Sequence, residues 1–302
     1  DTDVHEQREL SERQIALAEL LLELSCHPLV RLAEVVPWAG RRDHLELGHP
    51  RACIGRSSRA HRSSGATDPP PCSRGIDEII LDYEVLGETP KGQYQLLLIA
   101  VKRNLINKYL ELFNRLDLIP VAIETEPIAI ARTVDRLYVS STVCVIDIGI
   151  KTTDISVVSE DKLLFSRTVG MGGASITEEI SEAHDLTLEA AEKYKKENNL
   201  FSESEPNFIL KNLTTAIYRS LDYFQVKNAG NEIEKIVLTG GGGKLKGFGK
   251  HLTQEFGVKV EPLGLSDRLS INNSNLSEYN LEDAAQLLGV SIGLSLRKEE
   301  TE

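Results

Sequence analysis

Apolar residues along this chain recur at two spacings, and the change from one to the other marks its elements. From Val143 to Val158 the order V-C-V-I-D-I-G-I-K-T-T-D-I-S-V-V joins two strand-like runs through a short polar turn. Val143, Val145, Ile146 and Ile148 suit a strand buried on both faces, and Ile155 to Val158 read as its antiparallel partner. Further strands are expected over Ile79 to Leu86, Gln95 to Val101, Leu118 to Ile123 and Lys162 to Val169. Helical spacing appears after Asn104, a candidate cap, where Leu105, Tyr109, Phe113 and Leu116 share one face. It returns in a helix beginning at Glu126 and Pro127. Three more helices follow: one whose Ser175 and Glu178 have capping-box spacing, one from about Thr187 to Glu197, and one from Phe208 to Val226. Lys235 to Phe248 reads as a β-branched strand that runs into four glycines and then a helix. Near the end, Ala284, Leu287, Leu288, Ile292 and Leu296 form an apolar helix in which Gly289 and Gly293, four apart, permit close packing.

The first 75 residues follow no such order. A helix fits Glu6 to Leu24, but Arg41 to Arg74 is Arg, Ser, Gly, His and Pro without periodicity, and is expected to be unfolded. Residues 1–75 hold ten Arg and no Lys, whereas residues 76–302 hold eight Arg and sixteen Lys. Two compositions have been joined. The expectation is an atypical segment over 1–75, disordered or non-native, as in a truncated, recombined or out-of-frame N-terminus rather than a functional basic linker. A β-β-α-β subdomain and the first connecting helix over 76–140 and a nucleotide-binding lobe over 141–302 complete the expected organisation.

Composition narrows the function classes. With 302 residues the chain can hold two cores, and 41% hydrophobic residues is ordinary for a globular protein. A net charge of -12 argues against non-specific nucleic-acid binding, which rests on Lys and Arg neutralising phosphates. No apolar run approaches the length of a membrane span and none resembles a signal peptide, so a cytoplasmic protein without direct membrane insertion is expected. Cys26, Cys53, Cys72 and Cys144 have neither C-x-x-C nor metal-ligand spacing.

Two stretches carry candidate chemistry. Asp147 ends a strand otherwise apolar, and a carboxylate there is costly unless a cation, water or donor meets it. Gly149 lets backbone approach a ligand, and Thr152 and Thr153 add hydroxyls and N–H groups, a combination suited to phosphate and a divalent metal. A polar hairpin with a solvated Asp is the alternative. In the second stretch, Gly240, Gly241, Gly242 and Gly243 let bare backbone lie against a flat or phosphorylated ligand at a helix start. It is not a P-loop, because Leu245 follows Lys244. Glu126, taken alone, is an acid stabilised at a helix N-terminus.

In this order, four features resemble the actin-like ATPase superfamily over about residues 76–297. D-I-G-I-K-T-T-D is similar to its second phosphate motif, which implies that Asp147 holds Mg through water while Gly149, Thr152 and Thr153 approach the phosphates of ATP or ADP. E-P-I-A at Glu126 to Ala129 resembles the first connecting helix, which implies that Glu126 orients the attacking water, with Asp147 the second candidate catalytic group. L-T-G-G-G-G resembles the adenosine motif, and A-E-K-Y-K matches A-E-x-x-K, whose Glu192 and Lys195 would reach ribose and adenine. The implied fold is α/β, actin-like (ribonuclease H-like) and two-lobed. Its first lobe is expected to be incomplete, because residues 1–75 lack the first phosphate motif; ATP binding is then expected with hydrolysis weak or absent.

Within the superfamily, I-D-E-I-I-L-D-Y-E-V-L-G-E, E-P-I-A-I-A-R, R-T-V-G-M-G-G and G-V-S-I-G-L-S-L-R are most similar to PilM proteins of type IV pilus assembly, relatives of FtsA. This implies an adaptor for the N-terminal cytoplasmic peptide of a PilN-like inner-membrane protein, peripheral to that membrane and with room for homo-oligomers. The alternatives are a sugar-kinase-branch phosphotransferase, for which no Asp base stands out, and an FtsA- or MreB-like filament protein. FtsA usually ends in a basic amphipathic helix, whereas this chain ends R-K-E-E-T-E.

Overall fold

Where apolar residues alternate, strands form, and they assemble into two sheets in a computed structural model that describes residues 31–38, 79–88, 94–120, 122–138, 141–160, 162–201, 208–228, 231–264 and 281–297. The chain divides between Ala122 and Ile123 into two units. The smaller unit carries a three-stranded antiparallel sheet in the order β1-β3-β2, with β1 at Arg31–Trp38, β2 at Ile79–Glu88 and β3 at Tyr94–Lys102. β2 and β3 pair from Ile79 opposite Lys102 to Glu88 opposite Tyr94, with a bulge between Val85 and Gly87. Helix α1, Arg103–Arg115, follows directly, and Leu86, Leu97 and Leu105 are buried there.

Three expectations change in or near this unit. Leu118 to Ile123 forms no strand among its described residues: Asp117 has φ 53°, Pro120 has no N–H for a ladder, and Ile119 is 91% exposed. Leu118 and Ile123 are 42% and 43% exposed as well, so these side chains gain little from an extended pairing. The sheet's third strand is instead β1, from the segment expected to be atypical. The N-cap of α1 is Lys102 without a side-chain cap, so Asn104 lies inside the helix. The expected helix at Glu6 to Leu24 and the aperiodic Arg41 to Arg74 lie outside the described residues.

In the larger unit β4 (Val143–Ile148), β5 (Thr153–Ser159), β6 (Lys162–Val169), β7 (Lys235–Thr239) and β8 (Lys259–Pro262) form one sheet in the order β6-β5-β4-β7-β8. The first three strands are antiparallel neighbours, and β7 and β8 run parallel to β4. Alternation divides β4 between the faces. Cys144, Ile146 and Ile148 enter a core with Ile155, Val157, Ile176, Leu213, Ile217, Phe224 and Phe248. Its helices are α3 (Gly173–His184), α4 (Leu188–Glu197), α5 (Phe208–Lys227) and α6 (Phe248–Phe256). Each fully buried aliphatic or Phe side chain contributes roughly 1.5–3 kcal/mol, so this core dominates the unit's stability.

The other face of the sheet is covered by α2, Glu126–Leu137, and α7, Leu281–Ser295. Ala129, Ile130 and Val134 of α2 are buried, and α7 approaches through Gly289 and Gly293, as their spacing predicts. The wider apolar stripe is not the buried one: Leu287 and Leu288 are 58% and 40% exposed, while Ala285 and Gln286 are buried. Only the small-residue side lets the helices come close enough for Thr133 Oγ1 to donate to Gly289 O at 2.6 Å and Arg132 Nη1 to Gly293 O at 2.5 Å. Arg132 also grips Glu124 through both nitrogens, at 2.9 and 2.7 Å, and Arg297 joins at 2.9 Å. Burial opposes ionisation of Glu124, but these two guanidinium groups outweigh it and hold its carboxyl below the usual range. Among the described residues no helix is long and apolar enough to cross a membrane.

Candidate functional site at the carboxyl ends of β4 and β7

In an open α/β sheet, ligands bind outside the carboxyl ends of parallel strands, where the strand order reverses. Here that point lies between β4 and β7. Asp147 pairs with Thr239 across the parallel ladder and with Asp154 across the β4–β5 hairpin. Gly240 follows with φ 77°, and a Cβ built on it would stand 2.3 Å from Asp147 Oδ1 and 2.5 Å from Ile148 O. The two stretches singled out in the sequence therefore touch. Docking α7 fixes the turn: Gly240 N–H and Thr239 Oγ1 donate to Gln286 O at 2.8 and 2.5 Å. A 3₁₀ turn, Gly241–Lys244, leads towards α6.

The glycines of that turn are not equivalent. A Cβ on Gly242 would meet Ile148 Cγ2 at 2.2 Å, and Gly243 is buried against Leu238, whereas a Cβ on Gly241 meets nothing within 4 Å. Packing accounts for Gly240 and Gly242 but not for Gly241. A cavity of about 340 Å³ shares Gly243 and Lys244 with the turn and is also lined by Val260, Glu261 and Gln286.

The Gly149 turn closes through Gly149 N–H donating to Thr152 O at 2.9 Å. It is seated on the first turn of α3, where Gly173 and Ala174 N–H donate to Gly149 O and Ile150 O at 2.9 and 2.8 Å. The N–H groups of Gly173 and Ala174 are thus already paired; α3 starts at Gly173 with Gly172 as N-cap, so Ser175 lies inside the helix and does not cap it. Gly172 permits the approach, since a Cβ there would lie 2.6 Å from Ile150 O. Thr153 is fully buried and donates to Met171 O at 2.8 Å, so its hydroxyl holds the loop; Thr152 is half-buried.

On the α2 face, Glu126, Asp147, Asp154 and Ser156 line a recess of about 10 Å³, enough for about one water. Burial, then the charges of Asp147 and Asp154, push the Glu126 carboxyl up to about 7. Burial, then Asp154, takes Asp147 up to about 7 as well. Asp154 is also raised by burial, against an opposing hydrogen bond from Thr168 Oγ1. Among the described residues no positive charge contributes to any of these shifts. Asp154 was not among the residues selected from sequence. The signal was available: in a four-residue turn the register sets Asp147 opposite Asp154, and a second acid on the same face follows from alternation.

Glu192 and Lys195 bridge α4 to the start of α3, the turn on which the Gly149 loop is seated. Lys195 Nζ is 2.6 Å from Glu192 Oε2 and donates to Thr177 Oγ1 at 2.7 Å and Gly173 O at 2.9 Å. Burial opposes the Glu192 charge, but hydrogen bonds from Lys195 and Thr177, with Lys196 beyond, hold its carboxyl down at about 2. No group of three acids, histidines or cysteines among the described residues is arranged to hold a metal by itself.

The sequence model of the type IV pilus assembly protein PilM family matches residues 71–299. The chain belongs to the PilM family. Among solved structures it is similar to a PilM–PilN type IV pilus biogenesis complex, with TM-score 0.69 and 25% identity over 89% of this chain and 76% of that one. MreB5 of Spiroplasma citri bound to AMPPNP matches with TM-score 0.47 and 15% identity over 65% of this chain and 64% of its own. EutJ, the ethanolamine utilization protein of Carboxydothermus hydrogenoformans, matches with TM-score 0.39 and 21% identity, covering 58% and 57%. The mixed sheet with helices on both faces is of the α/β class expected from the sequence, and the similarity to the PilM–PilN complex is to a fold of the same family.

Proposed function

We propose that this PilM-family chain is a nucleotide-binding adaptor of type IV pilus assembly, with ATP or ADP held at the carboxyl ends of β4 and β7. The observation that carries the reading is the contact of Gly240 with Asp147, which sets a bare-backbone turn beside the acidic end of the hairpin. On this reading the Gly149 turn meets the phosphates and Gly240 to Gly243 meet the adenosine half. Glu126 would hold a water in the recess that it lines with Asp147.

Mg is proposed at the Asp147 end of the recess that Glu126 and Asp154 also line, where no positive charge among the described residues contributes to the state of these carboxyls. Asp147 would hold the ion through water, the phosphates supplying further oxygens. The ion would supply neutralisation of phosphate charge. Asp147→Ala is expected to leave affinity for adenosine within about twofold while removing the Mg dependence of ADP binding. Fluorescence titration with a labelled ADP, with and without Mg, checks this. A variant retaining the full Mg effect contradicts the role.

The partner is proposed to be the N-terminal cytoplasmic peptide of a PilN-like inner-membrane protein, which would keep the chain at the cytoplasmic face of that membrane. The similarity to a PilM–PilN complex supports this reading. Anisotropy of that labelled peptide should show saturable binding to the purified chain. No binding, with or without nucleotide, would remove the adaptor reading.

A further inference from the structure

The A-E-x-x-K resemblance implies that Lys195 reaches ribose or adenine, but its ammonium is already spent. An ammonium has three N–H donors, and Lys195 faces three acceptors: Glu192 Oε2 at 2.6 Å, Thr177 Oγ1 at 2.7 Å and Gly173 O at 2.9 Å. The residue is 8% exposed. Turning one N–H to a sugar hydroxyl would take it from one of these three acceptors, of which Thr177 is buried, so that the loss offsets the gain. Two of those acceptors, Gly173 and Thr177, belong to the start of α3. The N–H groups of that same turn, Gly173 and Ala174, carry the carbonyls of Gly149 and Ile150. The path from the ammonium to the phosphate turn is thus one residue long: Gly173 accepts from Lys195 through its carbonyl and donates to Gly149 through its N–H.

We propose that Lys195 is a positioning residue for the phosphates: from α4 it pins the first turn of α3, and through Gly173 it sets the Gly149–Thr152 turn. Glu192 and Thr177 complete the pin. Thr177 Oγ1 accepts from Lys195 and has Glu192 Oε2 at 2.7 Å and Gly173 O at 2.9 Å for its single proton. Glu192 Oε1 lies 3.2 Å from Lys196 Nζ, so both carboxylate oxygens of Glu192 are engaged. The inference rests on the reading that the Gly149 turn receives nucleotide phosphates.

Lys195→Met keeps the aliphatic stem and removes the ammonium, and the full chain is titrated with ADP and with adenosine. ADP affinity is expected to fall about tenfold, the size typical when a group orienting a ligand-binding group is lost, while adenosine affinity stays within about twofold. Amide exchange at Gly173 and Ala174, followed by NMR without any nucleotide, is expected to accelerate. Thr177→Val removes one acceptor and leaves the ammonium, so it should move both readings the same way by a smaller amount; it decides the matter if Lys195→Met does not fold. Equal losses for adenosine and ADP would restore the direct ribose contact and overturn the proposal. Unchanged ADP affinity, or unchanged exchange at Gly173 and Ala174, would overturn it as well. A wild-type chain that binds neither ligand would remove the nucleotide reading, and the exchange arm would still decide whether Lys195 holds the turn.

Discussion

Gly293→Ala is expected to destabilise the folded chain by about 3 kcal/mol or more, at the upper end of overpacking effects. A Cβ at that position would stand 1.8 Å from Ala129 O, 2.4 Å from its carbonyl carbon and 2.9 Å from Thr133 Oγ1. A Cβ is fixed by the backbone, so no rotamer relieves the clash, and two of the three opposing atoms are backbone too. Helix propensity acts the other way, favouring Ala by about 1 kcal/mol, and the clash outweighs it. Moving α7 away from α2 would also stretch the bonds from Thr133 to Gly289 O and from Arg132 to Gly293 O. Gly289→Ala is the internal comparison: its Cβ meets the side-chain ends Leu263 Cδ2 at 2.9 Å, Ile130 Cδ1 at 3.2 Å and Thr239 Oγ1 at 3.2 Å. Those ends can give, so about 1 kcal/mol is expected. Urea denaturation of the two variants measures the difference, and equal midpoints would contradict the helix contact described here.

The second large effect concerns the glycine that packing does not explain. Gly241→Val should leave the fold intact, because a Cβ there meets nothing within 4 Å, yet reduce nucleotide affinity by about a hundredfold or more by setting a branched side chain where the ligand would lie against bare backbone. Gly240→Val is expected to fail differently. At φ 77° with Asp147 Oδ1 2.3 Å from the added atom, it damages the turn and the hairpin together. The pair of variants separates a glycine kept for the chain from a glycine kept for a ligand. Circular dichroism with an ADP titration reads both, and a Gly241→Val chain that still binds ADP as the wild type does would place the ligand elsewhere.

Much of the β4–β5 hairpin was legible in the sequence, because a run buried on both faces interrupted by one Asp has few other readings. The Gly289/Gly293 spacing was equally direct, since residues four apart share a helical side. Asp154 was harder to see: it follows two Thr in a polar turn and becomes notable only once the register places it opposite Asp147. Leu118 to Ile123 misled, because its apolar composition suits a strand while Leu118, Ile119 and Ile123 stay exposed. The motif sets Lys195 at ribose and adenine, whereas its ammonium lies on Glu192, Thr177 and Gly173 O; residue spacing along α4 carries no information about the distance to Gly173 on α3.

Calorimetric titration of ATP, ADP and adenosine into the purified chain, with and without Mg, tests the nucleotide site most directly. The account predicts saturable binding of all three, Mg dependence for ATP and ADP but not adenosine, and loss of all binding in Gly241→Val. Absence of heat for every ligand, or binding that Gly241→Val leaves untouched, would contradict it.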